Sequence, residues 1–305
     1  MANLRDLRLR MKAIDQTLQV TKAMNLISTS KLRKGRRVLE DTEPFFSRIE
    51  KTMCDILASA GNVQSRFLYS ETGKTAKVGS GFVELPTKRS AILVVTSDKG
   101  LAGGYNANIF REVTSFCKNL SNVVLILIGA IGYRYFIHSP HLIMENFSFR
   151  SRLPDMDNAR EIADFVIAQY LWGMFDEVYI IYTHMYSAVK LQPEIKPILP
   201  LSEEKLQEDI AKYGGEKRID LHLEYLPSEE EVFDALVPMY VKGIIYGCLI
   251  EAYASEQSAR MAAMDEASKS ADEMLSSLQL QYNRIRQAGI TQEMTEIISG
   301  SSTLR

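Results

Sequence analysis

Apolar residues recur at alternating steps of three and four at both ends of the chain, and this pattern limits the fold more than any other feature. Leu4, Leu7, Met11, Ile14 and Leu18 form one such seam. Ala271, Leu275, Leu278, Tyr282, Ile285 and Gly289 form a second. A repeat averaging 3.5 residues marks a helix with a single apolar stripe that another helix must cover. The first helix is expected over residues 2–58. Its stripe continues, slightly rotated, through Val20, Met24 and Ile27, and a kink or break is expected at Pro44. The second is expected from Ser228, where Ser228 and Glu231 have the spacing of a capping box, nearly to the end, with a kink at Pro238. Roughly 70 helical residues at 1.5 Å each would reach about 100 Å, against about 30 Å for a small domain, so this helix must leave any globular body. Each seam needs a partner, and the economical partner is the other. The two helices are therefore expected to run as a long antiparallel coiled coil.

Between them the chain changes character. Residues 61–90 are rich in Gly, Ser, Thr and Lys and read as a linker or irregular entry segment. Ala91–Thr96, Asn122–Ile128 and Glu177–Tyr182 are continuous apolar, β-branched runs, the signature of short strands covered on both faces. Helical patterns over 105–119, 130–137 and 157–173 alternate with them, which argues a mostly parallel sheet of βαβ units. Residues 195–201 and 219–225 are candidate edge strands. The expected class is α/β: residues 1–60 a coiled-coil helix, 61–226 a linker and Rossmann-like domain, 227–305 the second coiled-coil helix.

Composition excludes several classes. Of 305 residues, 46% are hydrophobic and 24% charged, which is ordinary for a folded soluble domain and wrong for wholesale disorder. The run from Val123 to Ile137 is broken by Arg134 and is too short to span a bilayer, so no direct membrane insertion is expected. Residues 1–10 lack the apolar core of a secretory signal. Cys54, Cys117 and Cys248 are sparse and far apart, as buried thiols in a reducing compartment would be. The net charge of −2 conceals an asymmetry: residues 1–40 hold ten basic side chains against Asp6, Asp15 and Glu40, a net of +7. A basic arm of this kind suits an acidic protein surface, nucleic acid or anionic lipid, or is a solvated helix face.

Chemistry-bearing motifs are few. Gly73-Lys74-Thr75 lacks the glycine five residues earlier that a P-loop requires, since Leu68 stands there. Ser97–Gly104 follows the first apolar strand, where an α/β fold can cradle phosphate, but it is not GxGxxG and reads as a structural tight turn. His138 and His141 flank Pro140 without a third ligand nearby, and His184 and His222 are isolated, so no metal is expected. Glu229, Glu230 and Glu231 sit where a helix dipole favours acids. No cofactor and no catalytic centre are expected. From Ala259 to Leu304 small and polar residues dominate, a composition suited to a helix lodged in a protein cavity without rigid binding.

Four motifs in order carry a resemblance. Thr17–Met24 with Ser30-Lys31-Leu32-Arg33, then Ser97–Asn106, then Ser255–Met261, and finally Tyr282–Ile297 resemble the gamma subunits of rotary F-type ATP synthases over the whole chain. Ser301 stands where the family usually has Ala, and Leu226 stands where it often has an acid before the residue matching Pro227, with Glu224 close by. The cysteine pair of photosynthetic relatives is lacking. The resemblance implies a non-catalytic rotor shaft, one copy per complex, on the cytoplasmic face of a bacterial plasma membrane. Its implied partners are a hexamer of alpha and beta subunits, the epsilon subunit and the membrane c-ring, with no nucleic acid. It implies partner contacts by Lys22, Met24, Lys31, Arg33, Lys34 and Arg36 on the first helix, and by Arg286, Gln287, Thr291 and Glu293 on the last. A coiled-coil scaffold or nucleic-acid-binding protein carrying an α/β domain is the alternative.

Overall fold

The computed structural model describes residues 4–60, 63, 65–68, 75–78, 81–84, 88–149, 152–187, 190–202 and 225–303. Among them the chain forms α1 (Leu4–Ala60), β1 (Thr75–Val78), β2 (Gly81–Glu84), β3 (Arg89–Val95), α2 (Tyr105–Cys117), β4 (Asn122–Ile128), α3 (Ala130–Phe136), β5 (Leu142–Phe147), α4 (Met156–Leu171), β6 (Glu177–Met185), β7 (Leu191–Leu199) and α5 (Glu229–Thr303). Two compact units result, one of Met1–Ser30 with Arg260–Arg305 and the other of Lys31–Ala259.

In the larger unit five strands lie in the order β5-β4-β3-β6-β7, parallel except for β7. The order follows from crossover handedness. The chain steps from β3 to β4 to β5 with α2 and α3 as crossovers, then returns to the far side of β3 with α4. Right-handed crossovers in opposite directions put their helices on opposite faces. The strands accordingly bury both sides. Ile92, Val94, Leu125, Leu127 and Ile181 face Ile109, Val113 and Phe136 of α2 and α3. Ala91, Leu93, Val95, Ile126, Val178 and Ile180 face α4, the later part of α1 and the early part of α5. The uninterrupted apolar runs are explained by this double burial.

Several expectations need correction. Pro44 does not break its helix, and α5 likewise runs continuously through Pro238. A helix-interior proline costs about 3 kcal/mol. Around Pro44 the packing of Phe46, Ile49 and Met53 into the core offsets it. Residues 61–90 are not wholly irregular, because β1 and β2 pair antiparallel with Thr75 opposite Glu84. The Gly- and Thr-rich composition concealed this short hairpin. Strand β5 is an addition, and the 195–201 edge strand extends over Leu191–Leu199. Residues 219–224, which include His222 and Glu224, and Gly73 and Lys74 lie outside the described residues. An 18-residue window of α5 is apolar enough to cross a membrane, but more than half of it is buried within the protein, so it serves as a core helix.

In the smaller unit α1 and α5 run antiparallel. Arg8 Nη2 donates to Tyr282 Oη at 2.8 Å, Ser268 Oγ to Thr21 Oγ1 at 2.9 Å, and Asn25 Nδ2 to the Met261 carbonyl at 3.1 Å. Leu7, Leu18, Ala271 and Leu278 are buried between the helices. The expected rotation of the seam through Val20 and Ile27 does not occur, and both are more than half exposed. The seam keeps its register and passes through Thr21, Asn25 and Ser28, which follow Leu18 at steps of three, four and three. Small polar residues hold the coil here because their hydroxyls and amide find partners across it or along it.

Candidate functional site: the paired helices and their fastening

Two things could make a shaft of these helices: firm attachment to the α/β domain and surfaces presented to other proteins. Attachment is visible in the larger unit. Sheets of this topology bind ligands at the carboxyl ends of the strands where the order reverses, here between β3 and β6. That crevice is filled by α5 itself. Tyr105 Oη donates to the Ala252 carbonyl at 3.2 Å and Ser255 Oγ to the Thr183 carbonyl at 2.9 Å. Ala252, Tyr253, Ala254, Ser255, Gln257 and Ser258 are buried. What remains of the crevice, lined by Thr96, Asp98, Gly129 and Glu256 among others, is a cavity of about 40 Å³, room for a water and not for a nucleotide.

The Ser97–Gly104 turn is structural. Asn106 bridges it, accepting from the Ser97 amide at 3.1 Å and donating to Ser97 Oγ at 2.7 Å. Asp98 Oδ1 accepts from the Ala130 amide at 2.9 Å and from Ser148 Oγ at 3.0 Å, so it caps α3 and ties β5 to the turn. Gly129, at φ 100°, is required because a Cβ there would lie 2.3 Å from the Thr96 carbonyl oxygen.

Further fastenings hold α5 on the other elements. His184 Nδ1 on β6 lies 2.6 Å from Glu251 Oε1 and 3.7 Å from Glu194 Oε2, and the Met185 amide donates to Glu251 at 3.3 Å. Lys242 pairs with Asp164 of α4 at 2.7 Å, and Tyr240 Oη donates to Glu50 of α1 at 3.1 Å. Cys248 and Tyr182 line this region as neutral groups. Burial pushes the Cys248 thiol up to about 12, and burial, followed by the nearby Cys248, Glu251 and Glu194, pushes the Tyr182 phenol up as well. The His184–Glu251 contact is missing from the sequence reading. A lone histidine on a strand carries no signal of a glutamate 67 positions later.

The expected contact residues divide into two sets. On α1, Arg33 and Lys34 are exposed, while Met24 and Lys31 are half-buried. Lys22 pairs with Asp272 of α5 at 3.6 Å, with both side chains more than half exposed. Arg36 is exposed but reaches Met185 Sδ at 3.1 Å, at the end of β6. On α5, Arg286, Gln287, Thr291 and Glu293 are all exposed. Thr291 Oγ1 donates to the Gln287 carbonyl at 3.0 Å, and among the described residues Arg286 and Glu293 make no ion pair.

The far end of α5 is exposed and extends past the described start of α1. Arg8 meets Tyr282, and α1 begins only four residues before Arg8, so α1 runs out about one turn beyond Tyr282. From Ile290 to Ser299 every residue of α5 is exposed. Four of these are large and apolar: Ile290 (50% exposed), Met294 (62%), Ile297 (71%) and Ile298 (67%).

Comparison with known proteins gives a consistent picture. The ATP synthase family model matches residues 3–304. The chain is 43% identical over 303 residues to the ATP synthase gamma chain of Ruminiclostridium cellulolyticum, covering 99% of each chain. It is 38% identical over 306 residues to the gamma chain of Acetivibrio thermocellus, covering all of both. Among solved structures it resembles a chain of the central stalk and c-ring of the Tetrahymena thermophila mitochondrial ATP synthase, with a TM-score of 0.59 and 24% identity, covering 82% of this chain and 99% of that one.

Proposed function

This chain belongs to the ATP synthase gamma-chain family and is the non-catalytic central-stalk rotor subunit of an F-type ATP synthase, and we propose that its two terminal helices are the shaft that couples rotation of a membrane c-ring to the nucleotide sites of surrounding alpha and beta subunits. The α/β domain sits with the epsilon subunit and the c-ring, at the cytoplasmic face of a bacterial plasma membrane. The coil of α1 and α5 enters the alpha–beta hexamer. As it turns, an asymmetric shaft presents different surfaces to each beta subunit. It does work on a site only through contacts that differ in free energy between that site's states. Arg33 and Lys34, with Met24, Lys31 and Arg36, meet acidic loops of the beta subunits, each exposed charge contributing about 1 kcal/mol or less. Arg286, Gln287, Thr291 and Glu293 make the upper contact.

The observation that supports this reading best is the exposed end of α5. Ile290, Met294 and Ile297, exposed on the last turns of α5, form an apolar surface that water does not favour and that an enclosing protein would cover. A benzophenone–maleimide attached to Cys introduced at Met294, in a chain carrying Cys54→Ser, tests it in the purified complex. Illumination should link this chain to alpha or beta and abolish ATP hydrolysis in proportion to the linked fraction. Efficient labelling with no adduct to either subunit, or linkage without loss of hydrolysis, would overturn the shaft assignment.

A further inference from the structure

A cavity of about 500 Å³ opens between the end of α2 and the segment from α3 to β5, and its lining residues are distinct from the fastenings and contacts described above. Its apolar part is formed by Val113, Cys117, Tyr135 and Phe136. The aromatic side is rigid. Phe110 and Tyr135 stack at 4.0 Å between centroids and 6° between planes, and Phe136 meets both edge-on, at 5.5 and 5.0 Å. Burial raises the Cys117 thiol to about 11, so it contributes a neutral apolar surface and no thiolate ligand.

The polar groups around this apolar floor are one cation and two imidazoles. Lys118, His138 and His141 line the cavity, and no carboxylate does. Thr114 Oγ1 is satisfied within its own helix by the Phe110 carbonyl at 2.7 Å. Ser139 Oγ differs: it is buried and has no hydrogen-bond partner. A buried hydroxyl without a partner is destabilising, and rotation of this side chain toward the cavity would bring it to a bound acceptor. The two histidines drew notice in the sequence only as an incomplete metal set, and among the described residues no group of three suitable ligands exists.

We propose that this cavity binds a small aromatic anion, its ring against Tyr135 and the Cys117 edge of the apolar floor and its carboxylate, sulfonate or phosphate group among Lys118, His138, His141 and the Ser139 hydroxyl. The volume is that of a small-molecule site, and an apolar wall with a few converging polar groups is how such sites are built. The stacked rings are already in place, so little ordering is required on binding. The proposal is independent of the rotor assignment, because none of the residues that line this cavity takes part in the fastening of α5 or in the contacts of the paired helices.

The test uses the full chain and two dyes of nearly the same shape. 8-Anilino-1-naphthalenesulfonate is a ring system with an anionic group, and N-phenyl-1-naphthylamine is its neutral counterpart. The anionic dye should bind a saturable site at least tenfold more tightly than the neutral one. The triple variant Lys118→Gln, His138→Gln, His141→Gln should weaken the anion at least tenfold and change the neutral dye less than twofold. Thr114→Trp, at an exposed position of α2, should fill the mouth and remove the site for both, with circular dichroism confirming the fold. Thr114→Phe replaces it should the tryptophan variant not fold. Equal affinity for the two dyes, or anion binding that the charge variant or the filling variant leaves unchanged, would overturn the proposal.

Discussion

Phe46 of α1 packs on the backbone of Gly243 in α5 so closely that a Cβ built on the glycine would meet Phe46 Cδ1 at 2.1 Å and Cγ at 2.8 Å. The contact reaches the root of the ring, so a small swing of its far edge does not relieve it. Gly243 is worth about 1 kcal/mol less than Ala to a free helix, yet here the missing side chain lets α1 and α5 close on each other. Gly243→Ala should therefore destabilise the full chain by about 1–3 kcal/mol, as overpacked cores do. Thermal melts check it. Gly243→Ala combined with Phe46→Leu should recover part of the loss. A single variant at least as stable as the parent would mean the helices are not packed this closely.

The paired seams made two long helices legible before any coordinates, because a 3.5-residue repeat has one structural meaning. The three apolar runs at Ala91, Asn122 and Glu177 did the same for the sheet. Where the sequence reading failed, the deciding information was not local. Thr21 and Ser28 are buried in the seam although they are polar, since Ser268 supplies the partner for Thr21 from 247 residues away. Val20 and Ile27 look like seam residues and are exposed. Counting turns from Leu18 would have found the right face, whereas scoring apolarity could not. The filled crevice was equally invisible: only the fold brings Ala252 to Tyr105. The contact residues on α1 and α5 came from motif resemblance, which carried no signal that Lys22 also pairs with Asp272 across the coil.

The register of the coil gives a sharp test. Thr21 Oγ1 and Ser268 Oγ are 2.9 Å apart, so cysteines at both positions should form an intramolecular disulfide. The background needs little editing. Burial holds the Cys117 thiol up at about 11 and the Cys248 thiol up at about 12, so both remain protonated and slow to oxidise at pH 8, leaving Cys54→Ser as the only further change. After mild oxidation the double variant should migrate as a compact monomer on a non-reducing gel and revert with reductant. Covalent dimers in place of this species would contradict an antiparallel pairing within one chain.

The basic positions on α1 should separate in their effects. Lys22 has Asp272 and Arg36 has Met185, whereas Arg33 and Lys34 are exposed and directed away from the core. In the assembled complex, Arg33→Gln with Lys34→Gln should flatten the dependence of ATP hydrolysis on salt between about 50 and 300 mM, since screening acts on exposed charges. Lys22→Gln should leave that profile in place and lower coil stability by less than about 1 kcal/mol. A salt profile identical to the parent in the double variant would remove these two side chains from the list of contacts.

Arg286 stands about level with the start of α1, and Glu293 on the part of α5 beyond it. Both are exposed and neither has a charged partner among the described residues. Their seven-residue spacing puts them on one face over two turns, with Gln287 and Thr291 beside them and linked by the Thr291–Gln287 hydrogen bond. Side chains that touch nothing in their own chain contribute little to its stability, so Arg286→Leu and Glu293→Ala should each change the melting free energy of the full chain by less than about 0.5 kcal/mol. Contacts that form with another subunit in one rotary state and break in the next act on coupling instead. Each variant should therefore assemble into intact complex, hydrolyse ATP, and synthesise it several-fold more slowly than the parent in vesicles energised by an imposed ion gradient. Unaltered synthesis by both variants, in complex shown to contain all subunits, would place the working contact elsewhere on α5, with Ile290 and Met294 the next residues to change.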